Sequence, residues 1–262
     1  MTSPASVSSC PRGARYRTLN WPDLDERRDG ELPSYRPLAL VTARLLARRW
    51  MLYLATCAVV FGAQVAFVAY SHVKMADFYA GLIGTPLVIV VVTVFAGADA
   101  TNTLTLAQRW ERILERAWAI ILLDVGLSFV QISGIETMLS GGSNAGDTIM
   151  GFLTLLLSAM LVYAEPFTAL ERDAQMLTLL PFAILRSMML GWVNLSRIFS
   201  LFAVQIAIII GSILVHQGAT KLHAGAATWI DLAFGTLLSA PLAVLFTVAY
   251  LDTLTQEHLT TR

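Results

Sequence analysis

A chain of 262 residues in which 56% are hydrophobic and 14% are charged is too apolar for a soluble domain, where about a quarter of the residues carry charge. Its formal net charge is zero, its mean hydropathy is +0.65, and its two cysteines lie far from each other and from any histidine. This composition indicates a membrane protein, and we expect no metal, cofactor or disulfide and no nucleic-acid partner.

The N-terminal segment, residues 1–35, is rich in Ser, Pro, Gly, Arg and Asp and shows no periodicity. It predicts a disordered cytoplasmic tail, with a docking peptide or a membrane tether as the alternative. A helix is expected from Pro37, because proline is favoured in the first helical turn. The helix leads into a six-helix transmembrane domain over residues 36–255, and residues 256–262 are expected to form a short cytoplasmic tail.

Five segments hold the roughly 20 apolar residues that a helix needs to cross a bilayer, at residues 50–70, 78–97, 149–169, 198–216 and 228–250. A sixth, at residues 117–135, contains Asp124, Ser128 and Gln131, which share one helical face. Because polar atoms are costly in contact with lipid, we expect this face to look into the bundle. The predicted fold is therefore all-α, with six transmembrane helices.

Lysine and arginine are divided very unevenly among the connecting segments. Sixteen of the 18 lie before the first span, after the second and fourth spans, or at the C-terminus, and the other two are Lys74 and Lys221. Basic residues are in excess in the cytoplasmic loops of membrane proteins. The distribution therefore predicts a multi-pass protein of a bacterial inner membrane with both termini in the cytoplasm.

Two amphipathic helices are expected on the cytoplasmic side, after the second and fourth spans. At residues 105–117, Thr105 and Gln108 have the spacing of a capping box. One face of this helix is apolar, and the other carries charge at Arg109, Glu111, Arg112, Glu115 and Arg116. Residues 176–193 contain Pro181 and Arg186, so we interpret them as an interfacial or re-entrant helix. Both helices are expected to contact the inner leaflet.

Small and polar residues also recur at helical spacing in four other spans: Gly81 and Thr85; Thr154, Ser158 and Glu165; Gln205 and Ser212; Asp231, Gly235 and Ser239. We favour close helix packing over a substrate path as the explanation of these polar stripes. Asp124 is weighed separately, because an ionisable group deep in a bilayer is a functional candidate. Its alternative is a position near the headgroups, paired with an arginine.

Glu165 ends the fourth span beside Pro166, where a desolvated carboxylate needs a cationic partner. We expect a structural ion pair between Glu165 and either Arg197 or Arg186. Histidines and acidic residues on the external side, such as His216 and Asp231, raise the possibility of a zinc or proton site. Because no histidine pair has metal-ligand spacing, they are interpreted as polar loop residues.

Several phrases in the second half of the chain form a set, namely Tyr163-Ala164-Glu165-Pro166, Glu171, Arg186-Ser187, Asn194-Leu195-Ser196-Arg197, and Pro241 with Thr247-Val248-Ala249-Tyr250-Leu251-Asp252. Together they resemble an uncharacterised bacterial six-span family typified by the membrane domain of some glycerophosphodiester phosphodiesterases, over residues 40–255. The resemblance implies a six-span fold with a proline-interrupted fourth span, and it implies no catalytic residue, because the phosphodiesterase barrel has no counterpart here. The chain departs from the family at Leu251, where a second tyrosine is usual, and in lacking a basic residue just after Asp252.

No set of nucleophile, base and orienting group is recognisable, so we expect no catalytic residue. The favoured function is a non-enzymatic scaffold or accessory subunit of a membrane complex. Its expected partners are the lipid bilayer and either another membrane protein or a second copy of the chain. The alternative is a transporter or lipid-handling protein that uses Asp124 and Glu165.

Overall fold

The computed structural model describes residues 35–101, 104–140, 145–170, 179–222 and 224–260, which form helices joined by short turns, with no strand in these ranges. The helices are α1 (Tyr35–Tyr70), α2 (Ala76–Thr101), α3 (Leu106–Ser140), α4 (Ala145–Met160), α5 (Ala164–Leu170), α6 (Leu179–Val193), α7 (Leu195–Leu222) and α8 (Ala224–Thr260). The predicted all-α class is confirmed. The predicted N-terminal tail lies outside the described residues, apart from its last residue.

Within the described ranges, six stretches are long and apolar enough to cross a bilayer, as expected for a multi-pass membrane protein. They are Leu38–Tyr70, Ala76–Thr101, Leu106–Ile135, Gly146–Leu170, Leu195–Lys221 and Ala227–Leu254. Each of the six predicted segments lies inside one of these stretches. Because α8 continues to Thr260, most of the tail predicted from residue 256 is instead the end of this helix.

The helices α2 and α8 form the centre of the bundle, since they pack most extensively against each other and are the most buried of the six spans. One side of this pair is covered by α1, and α3, α4, α5 and α7 complete a ring on the other side. Outward-facing apolar side chains such as Val59, Phe129 and Leu214 are exposed. This distribution suits a protein whose surroundings are lipid.

A buried glutamine of the first span joins three helices. The Gln64 amide nitrogen donates to the Ala80 carbonyl of α2 at 3.0 Å, and its amide oxygen accepts from the Thr236 hydroxyl of α8 at 2.9 Å. Gly84 provides the space, because a Cβ at this position would overlap the Gln64 side chain. Both ends of the amide are therefore satisfied in the interior, as a buried polar group requires.

Basic residues gather at one end of the bundle, where α1, α3 and α7 begin and α2, α5 and α8 end. We call this the arginine-rich end, and it carries Arg44, Arg48, Arg49, Arg109, Arg112, Arg116 and Arg197. Lys74 and Lys221 lie at the opposite end. The uneven distribution found in the sequence is thus a difference between the two ends of the folded bundle.

The amphipathic segment predicted at residues 105–117 is the first part of α3 and not a separate helix. Its capping box is present, since the Gln108 N–H donates to Thr105 Oγ1 at 3.4 Å and the Thr105 N–H donates to Gln108 Oε1 at 3.1 Å. Part of the charged face turns into the bundle, which was not predicted. Leu114 is 79% exposed, whereas three arginines of the charged face are buried in the bundle: Arg109, Arg112 and Arg116. Asp99 makes this possible for Arg109, and Glu115 lies 3.9 Å from Arg112.

The fourth span is broken between α4 and α5, at residues 161–163. Pro166 has no N–H to donate to Val162, and its ring disfavours a regular turn before it. The break leaves the Met160 carbonyl and the Tyr163 N–H without helical partners, and Ser187 of α6 bonds to both. Its hydroxyl donates to the Met160 carbonyl at 2.8 Å and accepts from the Tyr163 N–H at 3.1 Å. One serine therefore satisfies two backbone groups at the break.

The second predicted amphipathic segment, residues 176–193, is described from residue 179 onward as α6. Its 15 residues extend about 22 Å, less than the roughly 30 Å hydrocarbon core. Ala183 and Ser187 are buried, while Leu185 and Trp192 on the other side are exposed. The described part of the segment is therefore a helix too short to span the hydrocarbon core, and it supports the broken fourth span.

Candidate functional site

A cavity of about 440 Å³ lies inside the ring of helices. It is lined by residues of α2, α3, α4, α5, α7 and α8, together with Val162 from the break in the fourth span. Along α2 it extends from Asp77 to Ile89, which is about 18 Å of helix. Because Asp77 is exposed in the first turn of α2, the cavity reaches the surface at the end opposite the arginine-rich end.

The polar residues that the sequence placed on separate helix faces meet in this cavity. The lining includes Gly81, Thr85, Asp124, Ser128, Gln131, Ser158, Glu165, Gln205, Ser212, Gly235 and Ser239. The predicted polar face of Asp124, Ser128 and Gln131 does look into the bundle. Thr154 and Asp231, which share two of the stripes, do not line the cavity. The polar stripes thus surround a cavity. The favoured prediction had been that they pack closely against neighbouring helices.

Two carboxyl groups meet at the cavity wall. The side chains of Asp124 on α3 and Glu165 on α5 are hydrogen-bonded to each other. Such a bond requires a proton on one of the two groups, because an ionised carboxylate only accepts. The pair can therefore hold one proton and one negative charge, an arrangement found where like-charged acids share a site.

The predicted ion pair of Glu165 with Arg197 or Arg186 was wrong, because Glu165 is bonded to Asp124 instead. Arg197 on α7 bonds Asp252 on α8, with 2.5 Å between its Nη2 and the Asp252 Oδ2. Its Nη1 also donates to the Thr253 hydroxyl at 3.1 Å. The break before α5 explains the difference, since it redirects the chain at Glu165 toward α3.

Below the cavity, four aromatic side chains fill the bundle: Phe95, Tyr163, Phe167 and Tyr250. The Tyr250 ring lies 6.1 Å from Tyr163 and 6.5 Å from Phe167 between centroids. Along α2 the cavity ends at Ile89 before Phe95, and along α8 it ends at Phe246 before Tyr250. Phe95 and Tyr250 therefore lie between the cavity and the arginine-rich end on α2 and α8, and the four side chains together are called the aromatic layer.

Beyond the aromatic layer, two ion-pair groups join the helices. Asp99 of α2 bonds Arg49 of α1 at 2.8 Å and Arg109 of α3 at 2.5 Å. Arg49 is the non-helical residue at the kink in α1, so the kink directs its side chain toward Asp99. Arg197 and Asp252 link α7 to α8 in the same way. At the closed end of the cavity, one group thus joins α1, α2 and α3, and the other joins α7 and α8.

Two acidic residues in the sequence mark the positions of these ion pairs. Asp99 and Asp252 each stand near the end of a span at the side where arginines collect. An acidic residue in that position is ordinarily assigned to the headgroup region, but here both side chains are only 1% exposed. Their burial depends on which helices are neighbours, which spacing along one helix does not reveal.

The charge of the cavity limits what it can bind. Its described lining contains the acidic residues Asp77, Asp124 and Glu165 and no lysine, arginine or histidine. The His216–Asp231 pair, 2.5 Å apart, joins α7 to α8 toward the mouth but does not line the cavity. Across the described ranges, His, Cys, Asp and Glu side chains form no group of three that could hold a metal ion.

No family model, curated protein or solved structure matches this chain. The resemblance to the membrane domain of some glycerophosphodiester phosphodiesterases therefore stays a prediction. The candidate site rests on the geometry of the cavity and of its carboxyl pair.

Proposed function

We propose that this protein moves a small solute across the bilayer through the cavity, with Asp124 and Glu165 as its central binding groups. One observation carries the proposal: polar faces of five spanning segments meet around a single space that contains a carboxyl pair. Buried ionisable groups in spanning helices are costly and are retained mainly where they act on ions or solutes. Broken helices such as the fourth span recur in transporters.

The dimensions of the cavity agree with this proposal. Its volume of about 440 Å³ falls within the range of small-molecule sites, roughly 300 to 1,000 Å³. The cavity reaches the surface at one end, and the aromatic layer and two ion-pair groups close the other. A path to the arginine-rich end then requires the aromatic layer to open. Transport would alternate between this arrangement and one in which α7 and α8 separate near Arg197 and Asp252.

A cysteine at position 128 tests whether the cavity contains water. In a chain with Cys10 and Cys57 replaced, Ser128→Cys is expected to react rapidly with a membrane-impermeant thiol reagent, because Ser128 lines the cavity. Gly126→Cys is the matched control on the same helix. Gly126 is exposed on the outer surface of α3, outside the cavity lining, and a cysteine there is expected to be protected by lipid.

A second substitution checks the route of the reagent. Gly235 lines the cavity, and a Cβ there would meet open space, so Gly235→Leu should fill part of the cavity without a clash. Added to Ser128→Cys, it is expected to slow the labelling. Protection of Ser128→Cys in the native protein, with labelling only after denaturation, would contradict the proposed function. Labelling only by a membrane-permeant reagent would do the same and would indicate a cavity open to lipid.

We further propose that the arginine-rich end faces the cytoplasm of a bacterial cell, so that the cavity opens on the external side. Reporter fusions after His72, Gly142 and Gly218 are expected to read external. Fusions after Gln108, Gln175 and Thr255 are expected to read cytoplasmic, because basic residues collect at that end. A cytoplasmic signal at Gly142 would overturn this orientation.

The scaffold or accessory-subunit function stays a prediction, and the cysteine experiment separates it from transport. In a scaffold the polar stripes would pack against neighbouring helices. A cysteine at position 128 would then be protected from the water-borne thiol reagent. The family resemblance adds only the expectation of a shared six-span fold. Neither interpretation assigns a catalytic residue.

A further inference from the structure

We propose that the solute bound in the cavity is an amphipathic organic cation, meaning an amine or quaternary ammonium group attached to an apolar body. This inference rests on the proposed function and names the chemical class of its ligand. It is carried by the composition of the cavity wall, where negative charge and apolar surface occur without any positive charge in the described lining.

The charge argument concerns the carboxyl pair. With one shared proton, Asp124 and Glu165 keep a single negative charge in a wall that is otherwise uncharged up to Asp77 at the mouth. A charge in a low-dielectric space attracts its opposite strongly, since the Coulomb energy is much less screened than in water. A monovalent cation would neutralise the pair, whereas an anion would add a second negative charge. Anionic solutes are therefore disfavoured.

The remaining wall determines the body of the ligand. Leucine, isoleucine, valine and alanine side chains from α2, α3, α7, α8 and the α4–α5 break line the cavity, together with the rings of Phe78 and Phe246. Small inorganic cations prefer a cage of oxygen ligands, whereas this wall is largely hydrocarbon. Aromatic faces attract weakly hydrated organic cations in addition. An ammonium group with an apolar substituent satisfies both the pair and the wall.

The experiment measures binding of benzyltrimethylammonium to the purified full chain in detergent. This probe cannot lose its charge, and neopentylbenzene is its neutral counterpart with carbon in place of nitrogen. Phenylacetate provides the anion. We expect saturable binding of the cation, with neopentylbenzene and phenylacetate weaker by about ten- to hundredfold, because an ionic contact in a desolvated site is worth that factor.

The double variant Asp124→Asn/Glu165→Gln removes the charge but keeps two hydrogen-bonding amides of the same shape. It is expected to lose the preference for the cation, whereas Asp231→Asn, which changes a carboxyl group outside the lining, should retain it. Gly235→Leu is the second variant if the double variant does not fold, since leucine favours a helix more than glycine does. It should weaken cation binding, while Gly126→Leu on the outer surface should not.

Two results would overturn the inference. The first arises if phenylacetate or neopentylbenzene binds as tightly as benzyltrimethylammonium or more tightly, or if benzyltrimethylammonium shows no saturable binding. It applies when a cysteine at position 128 of the same protein is labelled by the membrane-impermeant reagent. In that case the proposed transport function stands and only the ligand class is wrong. The second is cation binding that neither the double variant nor Gly235→Leu changes, because the site would then lie elsewhere. A dry position 128 would instead remove the proposed function itself.

Discussion

Replacing Asp252 with asparagine is expected to lower the free energy of unfolding by about 3 to 5 kcal/mol, because it leaves Arg197 charged and buried. The two side chains are 1% and 3% exposed, and 2.5 Å separates their charged atoms. Arg197→Gln should cost a similar amount, because it removes the cationic partner of a buried carboxylate. The double variant should cost clearly less than the sum of the two, because the second change removes the charge whose partner the first change removed.

Chemical or thermal unfolding in detergent measures these differences, and Asp231→Asn is the control. Asp231 pairs with His216, but the two side chains are 38% and 56% exposed, so its replacement should cost no more than about 1 kcal/mol. Additive effects of Asp252→Asn and Arg197→Gln would show that the two side chains are not coupled. The helices α7 and α8 would then be joined at this end by something other than this pair.

Asp99→Asn is expected to have an effect of similar size, about 3 to 5 kcal/mol, since Asp99 is the shared acceptor of two arginines. Arg109 would suffer most, because its side chain is only 9% exposed and lies over the Phe95 ring. Arg49, at 36% exposure, can be partly solvated when Asp99 is neutral. Arg49→Gln alone should therefore cost only about 1 kcal/mol, because Asp99 keeps Arg109.

The same unfolding measurement applies, with Arg48→Gln as the matched control. Arg48 precedes Arg49 in α1 and is exposed, so its loss should leave stability nearly unchanged. A larger cost for Arg49→Gln than for Asp99→Asn would contradict the assignment of Asp99 as the centre of this group. It would indicate that the kink in α1 is held by Arg49 through another contact.

The fold was largely predictable, because the length and hydrophobicity of each span are enough to identify it in the sequence. The inward face of α3 was correctly predicted from Asp124, Ser128 and Gln131. Three polar side chains on one helical face would be costly in contact with lipid, so they face the interior. A proline-interrupted fourth span was implied by the family resemblance, and the structure has the break at residues 161–163, just before Pro166. These successes all concern properties of a single helix.

The failures concern the relation between helices. Residues 105–117 were expected to form an amphipathic helix on the inner leaflet, because the sequence does not show that Asp99 would lie opposite Arg109. Glu165 was paired with an arginine for the same reason. Charge complementarity favours an arginine partner, and the sequence does not show that Asp124 is the neighbour of Glu165. Whether polar stripes pack or enclose a space depends on distances between helix axes, and spacing within a helix carries no information about them.

The bond from Ser187 to the break in the fourth span has a consequence for the order in which the chain is assembled during synthesis. The Met160 carbonyl and the Tyr163 N–H are bonded by Ser187, which lies 24 residues after Tyr163 in the sequence. Backbone groups without partners are not stable in hydrocarbon. The fourth span therefore cannot reach its final form as it leaves the ribosome, and its inner end is completed only after α6 has been made and has docked.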